Sequence, residues 1–169
     1  MNVRRIRPDE YHAVLDLVRR SFEECDSGSF TDTACRSFLE YADFTNFSFR
    51  QRHNYETFVI LEGSEICGMM ELKSRIHISM LFVDPKKIRC GYGTVLVRFA
   101  EEYCAATRPF ARAITVNASP TATGFYEKLG FTRLSDSPNV SRELLSYPMS
   151  LRITSKREPL REVFSHFGM

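Results

Sequence analysis

Between Thr57 and Val83 the chain carries three strand-like runs in close succession: Thr57–Gly63 (TFVILEG), Cys67–Ser74 (CGMMELKS) and Ile76–Val83 (IHISMLFV). The links between them hold only a few residues, too few for the crossover that parallel neighbours need. The three runs therefore predict an antiparallel meander. In the third run Ile76, Ile78, Met80 and Phe82 alternate with His77, Ser79, Leu81 and Val83, the period of a strand with two faces. Val83-Asp84-Pro85 ends it. The chain then passes through Lys86, Lys87, Ile88, Arg89 and Cys90 to Gly91-Tyr92-Gly93, and Leu96, Phe99, Ala100 and Tyr103 follow at helical spacing.

Elements flank this centre on both sides. Val3–Arg7 reads as a short strand stopped by Pro8, and Asp9 can cap a helix whose inner face is Tyr11, Val14, Leu15, Val18 and Phe22. CDSGSF (Cys25–Phe30) breaks that helix. Thr31 or Asp32 can cap a second one, with Cys35, Phe38, Leu39 and Ala42 inside. Asp43–Glu56 has no clear period and reads as a loop with a short helix. Downstream, Arg112–Val116 is a buried strand. Ser119–Leu129 is a helix with Ser119 as N-cap, Pro120 in the first turn and Gly130 as the stop. Phe131 opens another strand, Tyr147–Ile153 is the last, and Glu158–Phe167 reads as a short C-terminal helix. The order predicts a mixed α/β domain, its antiparallel centre feeding a strand–helix–strand unit. A chain of 169 residues suits one such domain.

The charge balance, 23 basic against 21 acidic residues, is interspersed, and no Lys/Arg run exceeds three. That argues against a nucleic-acid surface. No apolar run approaches the roughly 20 residues a membrane helix needs, and the basic start lacks a signal core. Cys25, Cys35, Cys67, Cys90 and Cys104 are odd in number and widely spaced. They fit free thiols of a reducing cytoplasm and no metal site.

A strand running through glycines into a helix exposes backbone N–H groups at the positive end of the helix dipole, a setting that favours phosphate. Lys86, Lys87 and Arg89 add charge beside it. Neither a Walker loop nor Gly-x-Gly-x-x-Gly is present. On local chemistry alone the stretch reads equally as a phosphate cradle or a glycine-rich turn.

Two segments together shift that balance. Val83-Asp84-Pro85 followed by Gly91-Tyr92-Gly93 resembles the pyrophosphate loop of the GCN5-related N-acetyltransferases. Phe125-Tyr126-Glu127-Lys128-Leu129-Gly130-Phe131 resembles that family's second acetyl-CoA segment, without a gap. The resemblance implies a single N-acetyltransferase domain: residues 1–75 as the N-terminal half with acceptor-side helices, 76–135 as the acetyl-CoA core, and 136–169 as a C-terminal strand and helix. It implies a mixed sheet whose N-terminal part is antiparallel and whose central parallel strands splay apart. Acetyl-CoA is then the co-substrate, with no metal, and the acceptor is a small-molecule or peptide amine. A homodimer is common in the family; nothing in this sequence specifies one. Two positions depart from the pattern. Ile88 stands where the family has Gln or Arg, leaving Lys87, Arg89 or backbone N–H groups to hold the phosphates. Ser119 stands where many members have Asn, with Asn117 two residues earlier as the favoured pantetheine contact.

The resemblance also implies residue roles. Coenzyme contacts fall to the backbone of Leu81, Phe82 and Val83, to Arg89, Cys90, Gly91, Tyr92, Gly93 and Thr94, and to Asn117, Ser119 and Tyr126. Tyr126 matches the general acid for the departing thiolate; read alone, it is one position of an apolar helical stripe with Ala122, Phe125 and Leu129. For the general base, Glu71 on the preceding strand is the first expectation and His77 the second. Cys90 reads as a small loop residue, since direct transfer needs no acyl-enzyme. Ile88 and the open choice of base also motivate an alternative, an acyl-CoA-binding module with little catalysis.

Overall fold

In the computed structural model, which describes residues 1–153 except Asp26, Ser27, Ser29 and Arg142, the chain opens with strand β1 (Asn2–Arg5). A 3-10 turn at Pro8–Glu10 leads into helix α1 (Tyr11–Cys25). Asp9, expected to cap the helix, lies inside this turn, where the Glu10 carboxylate accepts from the Arg7 N–H at 2.9 Å. Arg4 grips the same carboxylate at 2.6 and 2.8 Å and, with that backbone bond, holds its pKa down at about 2. Helices α2 (Asp32–Tyr41) and α3 (Phe44–Gln51) follow, capped by Thr31 and Asp43. The aperiodic Asp43–Glu56 stretch is thus mostly helix.

Strands β2 (Tyr55–Glu62), β3 (Glu65–Lys73) and β4 (His77–Val83) form the antiparallel meander. Its second turn is unusual, because Ser74 and Arg75 both take positive φ, 54° and 65°, with no glycine present. Two bonds from Arg75 to Glu56, 3.0 and 2.9 Å, and one from Asn54 to Ser74 hold that turn. Helix α4 (Tyr92–Thr107), strand β5 (Ala113–Ala118) and helix α5 (Thr123–Lys128) complete the strand–helix–strand unit. Helix α5 starts later than the sequence suggests. Ser119–Ala122 forms a turn closed by Ala122 N–H on the Ser119 carbonyl, and the Ser119 hydroxyl meets Thr121 instead of capping. Gly130, at φ 95°, ends α5, with the Phe131 N–H reaching back to Tyr126 O. Short β6 (Thr132–Arg133) follows. A β7 (Asn139–Ser141) strand, absent from the sequence reading, makes a hairpin with β8 (Leu144–Arg152). The helix expected at Glu158–Phe167 lies outside the described residues.

The sheet order is β1-β2-β3-β4-β5-β8-β6, with β7 on β8. Among the described residues only β4 and β5 pair in parallel, at His77↔Thr115 and Ile78↔Val116. On one face Leu96 and Ala100 of α4 pack with Ile78, Ile114 and Met149 of the sheet; on the other Val14, Leu17 and Val18 of α1 and Phe47 of α3 pack with Met69 and Met80. The alternation expected along β4 fails. The β3–β4 register slips between Glu71↔Met80 and Leu72↔Ile78, leaving Ser79 as the extra residue of a bulge. Ile78 therefore faces α4, Met80 and Phe82 face α1, and Leu81 and Val83 return to the α4 side.

Gly68 sits where no side chain fits: an added Cβ would stand 2.9 Å from Phe82 O and 3.2 Å from Ile60 Cγ2, within the central ladder. Gly68→Ala is expected to lower unfolding free energy by about 1–3 kcal/mol through overpacking, read from the urea midpoint at unchanged slope.

Candidate active site

The parting of β4 from β5 creates the site. Asp84 N–H bonds to Cys67 O at 2.9 Å, so Val83 sits in a non-hydrogen-bonded pair with Gly68. By strand alternation the backbone groups of Phe82 point to β3, and those of Leu81 and Val83 point toward β5, which is no longer alongside. A groove of about 380 Å³ runs along this edge. Its wall includes Leu81, Phe82 and Val83 from β4, then Arg89, Gly91, Tyr92, Gly93 and Thr94 from the loop and α4. Ser21 and Cys25 on α1, Lys87, Ile88 and Phe125 also line it. The sequence reading did not assign α1 to the groove. Its one signal was a serine one turn beyond Val18 on an apolar face.

The loop is built by backbone strain and ion pairing. Pro85–Lys87 forms a 3-10 turn, and Arg89 and Gly91 take φ 64° and 89°. Helix α4 starts at Gly91 without a side-chain cap, and its first backbone bond is Val95 N–H to Gly91 O. The N–H groups of Tyr92, Gly93 and Thr94 thus have no intrahelical acceptor, and all three residues line the groove. Gly91 has open space where a Cβ would stand, so its need for glycine is conformational; at Gly93 a Cβ would meet the Phe125 ring at 3.1 Å. Lys87 does not reach into the groove as a free cation. Its ammonium bridges Glu62 (2.6 Å) and Glu65 (2.9 Å), which raises its pKa. The Tyr92 hydroxyl donates to Glu62 at 2.9 Å, and that bond pushes its pKa to about 12. Glu62, Glu65 and Cys67 bring their donor atoms within 4.8 Å of one another, but the Lys87 ammonium already bridges the two carboxylates. Ile88 is half exposed at the groove's edge, and Cys90 is exposed, its thiol 3.7 Å from Ile88 O.

Asn117, Ser119 and Tyr126, like Cys90, are not among the residues that line this groove. Asn117 is exposed on β5, the first residue past the last β4–β5 pair, and Ser119 is half-buried beyond it. Tyr126 is 5% exposed, its ring edge-on to Phe125 and Phe131 at centroid distances of 5.0 and 5.2 Å. It sits behind Phe125 and belongs to the α5 core as well.

Glu71 and His77 have different surroundings. Glu71 is fully buried. Its carboxylate accepts from Arg50 Nε at 3.0 and 3.3 Å, from Gln51 Nε2 at 3.0 Å and from Tyr41 at 3.4 Å. Burial raises its pKa against the opposing pull of Arg50. The Arg50 guanidinium lies 3.8 Å from the Tyr41 ring centre and donates to Tyr41 O at 2.6 Å. His77 is half-buried at the last closed part of the β4–β5 seam, with Nδ1 2.8 Å from Thr115 Oγ1. Burial, helped by nearby Lys73, lowers its pKa below the ordinary imidazole value.

A family described as an acetyltransferase (GNAT) domain matches residues 26–153. Solved structures of low identity share the fold. A GCN5-related N-acetyltransferase from Rhodopseudomonas palustris is 22% identical, with a TM-score of 0.78 over 89% of this chain and 94% of its own. The PaiA N-acetyltransferase of Thermoplasma acidophilum, solved with coenzyme A, is 15% identical, with a TM-score of 0.72 over 89% and 98%. The spermidine N-acetyltransferase of Vibrio cholerae, solved with coenzyme A and spermine, is 15% identical, with a TM-score of 0.64 over 90% and 95%. No helix among the described residues is long and apolar enough to cross a membrane.

The Arg50–Glu71 pair generates a stability prediction. Glu71→Ala leaves a buried guanidinium without its counter-charge and is expected to cost about 3–5 kcal/mol; Arg50→Met with Glu71→Leu is expected to recover most of it. Urea unfolding of the single and double variants checks both.

Proposed function

The chain belongs to the GNAT acetyltransferase family, and from that membership we propose that it moves an acetyl group from acetyl-CoA directly to a primary amine of a small-molecule or peptide acceptor. One observation supports this above the rest: the open edge of β4 and the uncapped start of α4 line the same groove. An extended amide-bearing arm fits the first, and a pyrophosphate fits the second. The residues present fit the coenzyme, with Ile88 shifting the phosphate contacts onto Arg89 and the N–H groups from Tyr92 to Thr94.

Bound acetyl-CoA supplies an activated thioester. In the proposed mechanism the Leu81 N–H, on the open side of β4, donates to the thioester carbonyl as negative charge develops there. The Tyr126 phenol holds the proton that the departing sulfur takes. His77 is the preferred acceptor of the amine's proton, directly or through water. Its lowered pKa keeps it neutral near pH 7, and Thr115 fixes its ring. Glu71, expected first on sequence grounds, has its carboxylate engaged by Arg50, Gln51 and Tyr41. We assign it the holding of α3 against β3.

Thiol release from acetyl-CoA across a panel of amines tests the reading; tight coenzyme binding with no turnover on any amine would overturn it. Tyr126→Phe is expected to lower kcat by at least about tenfold, with the acetyl-CoA Kd within about twofold of wild type. For His77 the sign follows from its lowered pKa. The neutral base persists at pH 6.5, and kcat/KM falls only as pH drops further through the lowered value. His77→Gln is expected to reduce kcat/KM and abolish that acid limb, which a pH–rate profile measures.

A further inference from the structure

Ser21 stands at the groove with an unusual bond. Its hydroxyl donates to the Val83 carbonyl at 2.7 Å, linking residues 62 apart in sequence. The surrounding face of α1 is apolar, with Leu17, Val18 and Phe22 all buried, and Ser21 itself is only 3% exposed. The Val83 carbonyl points away from β3, on the side where β5 has parted. A donor pairing with this edge as an added strand would approach the same oxygen. Ser21 and Val83 both line the groove.

Resting on the acetyl-CoA reading above, we propose that Ser21 is a coenzyme-exchange residue. Its hydroxyl and the pantetheine amide nearer the pyrophosphate compete for the Val83 carbonyl, so binding replaces one donor with the other. The exchange has two consequences. The edge of β4 keeps its shape without coenzyme, because the Val83 carbonyl there keeps a donor. The amide's hydrogen bond also adds little to affinity, because it replaces a bond already made. A serine suits this role, since a hydroxyl can rotate to a new partner without moving α1.

Calorimetric titration with coenzyme A and thermal melts, on wild type and Ser21 variants, test the proposal. Ser21→Ala is expected to melt lower without coenzyme and to bind coenzyme A about fivefold more tightly, because the amide then displaces no protein hydroxyl from the carbonyl. Ser21→Thr keeps the hydroxyl and is expected to match wild type. Ser21→Cys, a weaker donor of similar size, is expected to fall between and serves if the alanine variant does not fold. An analogue with that amide replaced by an ester is expected to show no gain on any variant. Unchanged or weaker coenzyme A binding by the alanine and cysteine variants would overturn the proposal alone, as would an equal gain with the ester. Failure of wild type to bind coenzyme A would overturn the acetyl-CoA reading and this proposal with it.

Discussion

Strands β4 and β5 pair over two residues and then separate, and much of the surrounding structure answers that separation. Buried backbone N–H and C=O groups need partners, yet Leu81 and Val83 turn theirs toward a strand that has left. The Ser79 bulge sets which groups these are, because one extra residue on β4 flips the faces of everything after Ile78. It puts Met80 and Phe82 into the α1 core and frees the odd-numbered backbone groups toward the groove. Helix α1 then covers the end of the strand and supplies Ser21 to Val83. The groove is therefore a property of register, and side chains only shape its walls.

On the α1 side the sheet carries charge as well as apolar packing. Arg50 is buried between Glu71 and the Tyr41 ring and ties α3 to β3 and to the end of α2. Apolar residues of similar volume would hold these elements at least as firmly. What the pair adds is fixed position: two ends of Glu71 and two nitrogens of Arg50 engage specific partners on three elements. Tyr41 shows the same environment, its pKa raised by burial first and by the nearby Glu71 charge.

Much of this was legible in the sequence, and the limits have physical causes. Three apolar runs with short links specified the meander, and the order of elements specified the strand–helix–strand unit, because both rest on local periodicity. The Ser79 bulge was invisible, since an alternating pattern reads the same whether or not the partner strand slips. The Ser74–Arg75 turn was also hidden, because long-range bonds from Glu56 and Asn54 hold two left-handed residues that carry no local signal. Of the groove's lining, Leu81–Val83, Arg89 and Gly91–Thr94 were named from the glycine pattern and the family resemblance; Cys90, named with them, does not line it. Ser21, Cys25 and Phe125 were not assigned to it, because their place depends on how α1 and α5 pack. Glu71 read as a base because it lies on the strand before the one expected to hold the coenzyme; its Arg50 partner comes from a stretch with no period.

The departure at Ile88 has a structural answer in its neighbours. Sequence alone counts three cations around it, but Lys87 is drawn toward Glu62 and Glu65, whose charges outnumber its own. That cluster clamps the β2–β3 turn to the loop, and Tyr92 extends the clamp into the first turn of α4. The loop is thus held at its base by ion pairs and at its tip by the positive φ of Arg89 and Gly91. With its shape already fixed, the loop would not need a side chain at position 88 to organise it around the phosphate proposed above. The N–H groups at the start of α4 keep a constant direction and partial positive charge. Arg89, whose residue lines the groove, adds the formal one. On the proposed coenzyme reading, an apolar Ile88 at the edge is compatible with phosphate binding, because positioning and charge would come from different residues.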